Sequence, residues 1–180
     1  MSVAAYSSQP SSAALNLQRV VMYRNLMVVA QLAAVVVAAV MNFALPLTPI
    51  LAVIAMFTVL NFVTWLRLRW IDSPVSEREL LFHLLTDVVI LGTLLYFTGG
   101  STNPFVSLFL VPLTLAAASL PARYTWAVAG AALLCYSLLM EWYIPLSHKH
   151  GESFNLHVIG MWFGFVLSAV LISYFAVKMS

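Results

Sequence analysis

Long apolar stretches alternate with short polar breaks along this chain, at a spacing that suits membrane helices rather than amphipathic ones. Crossing the hydrocarbon core takes about 20 apolar residues. Six segments approach that length: 24–45, 49–68, 80–98, 104–120, 124–146 and 155–178. The breaks have physical causes. Pro46 and Pro49 bracket a tight turn after the first segment, and Asp72 to Glu79 forms the long charged connection. Gly99 to Asn103 parts the third segment from the fourth. Pro121 ends the fourth, because its fixed φ and missing N–H stop a helix, and Pro145 closes the fifth. Ser147 to Ser153 is a polar loop before the sixth. The pattern predicts an all-α, polytopic integral membrane protein with six transmembrane helices. Residues 1–18 are rich in Ser and Ala and carry no charge. They are expected to form a flexible tail that becomes helical near Leu15, with 19–180 as the six-helix domain. No basic region precedes an apolar run there, so a cleaved signal peptide is not expected.

Charge gives the orientation. Arg19 and Arg24 precede the first segment, Arg67, Arg69 and Arg78 lie in the second connection, Arg123 in the fourth, and Lys178 near the end. With six spans, all of these fall on one side and only Lys149 on the other. The positive-inside rule then places both termini in the cytoplasm and Gly99–Asn103 outside. Composition agrees: 63% of residues are apolar and 8% charged, against about 25% charged in a soluble domain. There is no basic stripe of the kind nucleic acid requires. The lone Cys135 excludes an internal disulfide and a cysteine zinc site. No metal site is expected elsewhere. His83 and His157 lie at opposite ends of their helices, which defeats bis-histidine haem ligation, and His148 and His150 share a loop.

The break Gly99-Gly100-Ser101-Thr102-Asn103-Pro104-Phe105 has two readings. In the first it is turn chemistry. Either glycine can take φ > 0 and end the third helix, Asn103 is a good N-cap and Pro104 suits the first helical position. In the second, the same geometry makes a site for a flat ring with two carbonyls. Polar turns at membrane depth are tolerated mainly where they are buried in protein or line a cavity. The Asn103 amide can donate to a quinone carbonyl or accept from a quinol hydroxyl. Phe105, Tyr96 or Phe97 can pack on the ring.

The heptapeptide G-G-x-x-N-P-F resembles the quinone-binding motif of the RegB/PrrB family of redox-sensing histidine kinases. The six-span layout, the motif between spans three and four, and Asn155-Leu156-His157-x-x-Gly160-Met161-Trp162 opening span six extend the resemblance over the chain. It implies a membrane signal-input domain that senses redox state through ubiquinone or another membrane quinone, at Gly99, Gly100, Asn103, Pro104 and Phe105. It further implies a homodimer, and a parent kinase whose cytoplasmic domains lie outside this sequence and meet a response regulator. No catalytic residue is expected within these 180 residues. The family's redox-active cysteine lies in the part not present here, so Cys135 reads as a packing residue.

Other polar residues sit within the spans. Asp87 lies about two turns inside span three, where a charge is costly and a functional candidate by default. His83 shares its face at i,i+4, and Asn61 and Thr64 lie at similar depth. The group reads as a buried polar cluster tying spans two and three, or as a proton-linked relay. Glu141 and His157 share the depth of the heptapeptide and are candidates for lining its pocket, although Glu141 beside Trp142 and Tyr143 also reads as an interfacial residue. Gly160, Gly164 and Ser168 form a small-residue face for helix packing or a dimer contact. Ala127, Gly130 and Ala131 offer a rival face. Two other classes remain open: a small proton-linked transporter or channel using Asp87, with Pro112 breaking span four, and a structural membrane subunit without a ligand.

Overall fold

A computed structural model describes residues 12–71 and 74–145. Among these, the chain forms five α-helices: α1 (Ser12–Val40), α2 (Leu47–Trp70), α3 (Glu77–Phe97), α4 (Leu110–Ser119) and α5 (Ala122–Glu141). Two 3₁₀ segments, Gly100–Thr102 and Pro104–Phe109, link α3 to α4. There is no strand among the described residues. Four helices are long and apolar enough to cross a membrane, over Ala14–Val40, Leu47–Trp70, Glu77–Phe97 and Ala122–Glu141. Pro104–Ser119 is shorter. The expected sixth span, with Gly160, Gly164, Ser168 and His157, lies outside the described residues.

Helix ends follow local chemistry, and several differ from the sequence expectation. α1 starts at Ser12, so the close of the segment assigned to a flexible tail is helical. Leu17 and Val20 are buried in the common core, and their burial organises that first part of α1. At its other end α1 stops before the expected position. Asn42 takes φ 60°, the left-handed conformation asparagine tolerates best after glycine. Phe43 N–H donates to Ala38 O at 3.0 Å and Asn42 N–H to Ala39 O at 3.1 Å, the hydrogen bonds of a Schellman stop. Pro49 falls in the first turn of α2, where a missing N–H costs nothing.

α3 opens on a Ser-x-x-Glu pattern, with Ser76 Oγ accepting from Glu79 N at 3.1 Å. Arg67 closes the α2–α3 connection with a forked pair to Glu79, Nε to Oε1 at 2.7 Å and Nη2 to Oε2 at 3.0 Å. Ser76→Ala is expected to destabilise the protein by about 1 kcal/mol. Thermal unfolding followed by circular dichroism measures it, and an unchanged midpoint would show that the cap does not contribute.

The expected fourth span is part 3₁₀ and part α. Pro112, a buried residue, sits in the first turn of α4, so the chain upstream of it cannot use its N–H. A 3₁₀ segment rises about 2.0 Å per residue against about 1.5 Å in an α-helix, so the six 3₁₀ and ten α residues together reach about 27 Å. That is close to the hydrocarbon thickness of about 30 Å. α5 ends at Glu141, before the expected 146, and Trp142 is extended. Ile144 N–H then donates to Tyr96 O at 2.8 Å, which ties the end of α5 to the end of α3.

α3 is the central helix. Leu80, Leu84, Val88, Leu91 and Leu95 on it are buried with Val111 and Leu115 of α4 and Val128 of α5. Cys135 of α5 packs beside Gly92 of α3. Apolar residues such as Val36, Val59, Phe62, Trp126 and Leu133 point outward, as a lipid-facing surface requires. On the rival packing face Ala127 and Gly130 are exposed and Ala131 is partly buried.

Candidate functional site

The Gly99–Phe105 loop sits where the ends of α3 and α5 meet. Gly99 and Gly100 both have positive φ, 103° and 60°. Together they turn the chain out of α3 within two residues, which side-chain-bearing residues could not do without strain. Gly100 is buried, and a Cβ there would collide with Tyr143 and the Leu139 carbonyl. The face of this glycine is thus covered by the chain leaving α5.

Asn103 is the N-cap of the next segment. Its Oδ1 accepts from Phe105 N–H at 2.8 Å. Its Nδ2 donates to Thr98 O at 2.7 Å and to Thr98 Oγ1 at 2.9 Å. Pro104 occupies the first position of the 3₁₀ segment, and Phe105 is partly buried against the core. Thr102 Oγ1 adds a bond to Gly99 O at 2.7 Å. The Asn103 amide is therefore a latch across the loop, from the end of α3 to the start of the next helix. Both its donor hydrogens are engaged, and one acceptor position on Oδ1 is left.

The residues expected to line a pocket divide. Tyr96 is exposed and meets Phe97 edge to face, centroids 5.2 Å apart. Glu141 is exposed at the end of α5. His157 lies outside the described residues. Thr98 was not singled out from the sequence, and Tyr143 was read only as an interfacial aromatic beside Glu141. Thr98 stands five residues before Asn103, too far for a familiar capping pattern. Tyr143 reaches the loop only through the fold.

A second polar constellation is built around Asp87, and its centre was misplaced by sequence reasoning. Arg24 was assigned to the flank before span one, yet it lies inside α1 and is fully buried. Its Nη2 stands 2.6 Å and its Nε 2.8 Å from Asp87 Oδ1. Tyr23 donates to Asp87 Oδ2 at 2.8 Å. Arg24 also donates to Thr64 Oγ1 at 3.3 Å and to His83 O at 3.1 Å, and its guanidinium lies 5.6 Å from the Phe57 ring centre. One arginine thus joins α1, α2 and α3. His83 belongs to this group, with Nδ1 at 3.4 Å from Arg24 Nη2. Asn61 does not: it bonds instead to α1, donating to Val21 O at 3.1 Å and Asn25 Oδ1 at 2.8 Å. The expected trio is therefore two clusters, one centred on an ion pair and one on an amide.

The helices and loop just described invite comparison with known membrane domains. The model of one family, the PilS-like transmembrane domain, matches residues 4–180. The chain belongs to that family. Membership of the PilS-like transmembrane domains, a six-span family, covers all six segments read from the apolar pattern. The chain is also similar to sensor histidine kinase RegB of Cereibacter sphaeroides, 28% identical over 108 residues. That match takes in 58% of this chain and 23% of the relative, so the PilS-like chain spans less than a quarter of the relative's length. The resemblance to RegB-type sensors drawn from the loop residues thus holds at the level of the membrane region. No solved structure matches the chain.

Proposed function

We propose that this PilS-like transmembrane domain is the membrane signal-input part of a sensor histidine kinase, and that it responds to the redox state of a membrane quinone, ubiquinone or a relative of it, at the Gly99–Phe105 loop. The observation that carries the reading is the Asn103 latch. One amide closes the loop between α3 and α4, beside the point where α5 is tied to α3. A ligand that competes for that amide acts on three helix ends at once.

The residues fit the two forms of the ligand differently. Towards an oxidised quinone, Asn103 Nδ2 donates to the carbonyl and gives up a bond to Thr98. Towards a quinol, Asn103 Oδ1 accepts the hydroxyl at its remaining acceptor position and the Thr98 bonds persist. Oxidation therefore favours the unlatched loop and reduction the latched one. Only such a difference in affinity can shift a conformational equilibrium. The helices that follow carry the shift towards the kinase part of a dimeric parent, in an inner membrane with both termini cytoplasmic. Asp87 is held by Arg24 and Tyr23, which favours a structural tie over a transport path.

The test is mass spectrometry of lipids extracted from the purified protein, beside Asn103→Ala. Near-stoichiometric quinone in the wild type, and several-fold less in a variant that keeps its helical circular dichroism, is the expected result. Absence of quinone from both, with no binding on adding it back, would reduce the loop to a helix turn.

A further inference from the structure

A groove between α1 and α2 opens at the end of the bundle opposite the Gly99–Phe105 loop, with the length of α3 between them. Its wider part is a hollow of about 390 Å³. Val21, Met22 and Leu68 form the apolar sides, and Gln18, Asn25 and Arg69 stand around the Trp65 ring. Those last four side chains are all exposed, so a molecule arriving from the bilayer meets them directly. A second hollow of about 330 Å³ continues the groove past Phe62 to Thr58. Thr58 donates its hydroxyl to the Ile54 carbonyl at 2.8 Å, which leaves an apolar surface at that end. From Arg69 to Thr58 the groove follows about 16 Å of a membrane-spanning helix. It is charged at one end and apolar at the other.

The polar groups converge as donors. Helical side chains lean towards the N-terminus of their own helix. α1 and α2 are antiparallel here: Asn25 meets Asn61, and Gln18 shares a hollow with Arg69. Arg69 therefore leans back over Trp65 while Asn25 leans out to meet it. The Arg69 guanidinium stands 5.4 Å from the Trp65 ring centre and makes no hydrogen bond or ion pair among the described residues. Asn25 is held in one orientation. Asn61 Nδ2 donates to the Val21 carbonyl at 3.1 Å and to Asn25 Oδ1 at 2.8 Å. Exchanging the atoms of either amide would set two donors or two acceptors face to face. Asn25 thus keeps Nδ2 as a free donor. Among the described residues no carboxylate lines either hollow. The complement of this groove is a negative group rich in acceptors, with an apolar tail. A neutral ring would leave the Arg69 charge unmatched at the membrane edge, where a charge weighs more than in bulk water.

We infer that the α1–α2 groove binds an anionic phospholipid. The phosphate accepts from the Arg69 guanidinium and the Gln18 amide. An ester carbonyl of the glycerol backbone accepts from Asn25 Nδ2, and one acyl chain runs past Phe62 and Thr58. Guanidinium and phosphate match as a fork and are strongly bound, and Trp65 has the place of an interfacial tryptophan beside the headgroup. The site stands whether or not the Gly99–Phe105 loop binds a ligand.

The test is native mass spectrometry of the full chain in detergent, titrated with phosphatidylglycerol and with phosphatidylcholine of the same acyl chains. Both lipids carry a phosphate, and only the first has a net negative charge. Phosphatidylglycerol is expected to bind about fivefold more tightly, the effect of one arginine beside a charged headgroup. Arg69→Gln is expected to bring the two lipids to parity. Asn25→Leu is expected to weaken both about fivefold and keep the preference, because the ester carbonyl is common to both. Arg123→Gln is the control: that arginine is exposed and lies 4.6 Å from the Tyr124 ring centre, outside the groove, and its loss should leave the preference unchanged. Glycerol 3-phosphate, which has the charge without the chains, should not compete at the concentration of the lipid. The comparison of lipids needs no substitution, so it decides even if a variant does not fold. Equal affinity for the two lipids, the same loss of preference in Arg69→Gln and Arg123→Gln, or competition by glycerol 3-phosphate would each overturn the assignment.

Discussion

Asp87→Ala is expected to destabilise the bundle by about 3 kcal/mol or more, the largest effect of any single side-chain truncation in the described helices. The reason lies in what remains behind. Arg24 is fully buried and, among the described acidic groups, its guanidinium is balanced by Asp87 alone. Removing one partner of a buried ion pair leaves an uncompensated charge, at about 3–5 kcal/mol. Arg24→Ala is expected to do similar damage from the other side. The double replacement Arg24→Leu with Asp87→Leu should be less destabilising than either single truncation, because the net worth of a buried pair is small once neither charge is present. Tyr23→Phe, which removes one hydrogen bond to Asp87, should cost about 1 kcal/mol. Unfolding in mixed detergent micelles, followed by circular dichroism, gives all four values. A double mutant at least as destabilised as either single truncation would mean that the pair itself, and not the avoidance of a lone charge, stabilises the fold.

The ion pair also shows where sequence reading stops. Apolar runs bounded by proline and glycine located every described helix, because lipid demands that backbone groups be satisfied within each span. Asp87 was legible as a costly intramembrane charge, and the turn residues Gly99, Asn103 and Pro104 as a cap. Arg24 was not, because an arginine just before an apolar run looks like a flank. Only the start of α1 at Ser12 shows that the helix continues well outside that run and carries Arg24 into the protein. Asn61 was read at the right depth but given the wrong partner, since rotation of α2 about its axis is set by packing and not by spacing. The Asn42 stop of α1 is a backbone event with a weak sequence signal, overshadowed by Pro46 four residues on. Thr98 and Tyr143, which complete the loop, act through contacts that no local pattern encodes.

Gly100→Ala is the sharpest probe of that loop, and a loss of about 2–5 kcal/mol is expected. Two costs combine. At φ 60° an alanine carries left-handed strain of about 1–2 kcal/mol, and its Cβ would meet Tyr143 and the Leu139 carbonyl. Overpacking of this kind typically costs about 1–3 kcal/mol. The obstruction includes backbone, so a side-chain rotation cannot relieve it. Gly130→Ala is the matched control. Nothing lies within 4 Å of its Cβ position, and alanine is favoured over glycine in a helix by about 1 kcal/mol, so that variant should gain stability among these residues. Asn103→Ala should fall between, at about 1–2 kcal/mol for a lost cap. The ordering matters for function. If Gly100 serves only the turn, Gly100→Ala and Asn103→Ala should lower quinone retention in proportion to lost stability. If Asn103 touches the ligand, its alanine variant should lose quinone at a stability cost smaller than that of Gly100→Ala. Retention measured beside unfolding midpoints for the three variants separates a loop that merely turns from one that reads a ligand.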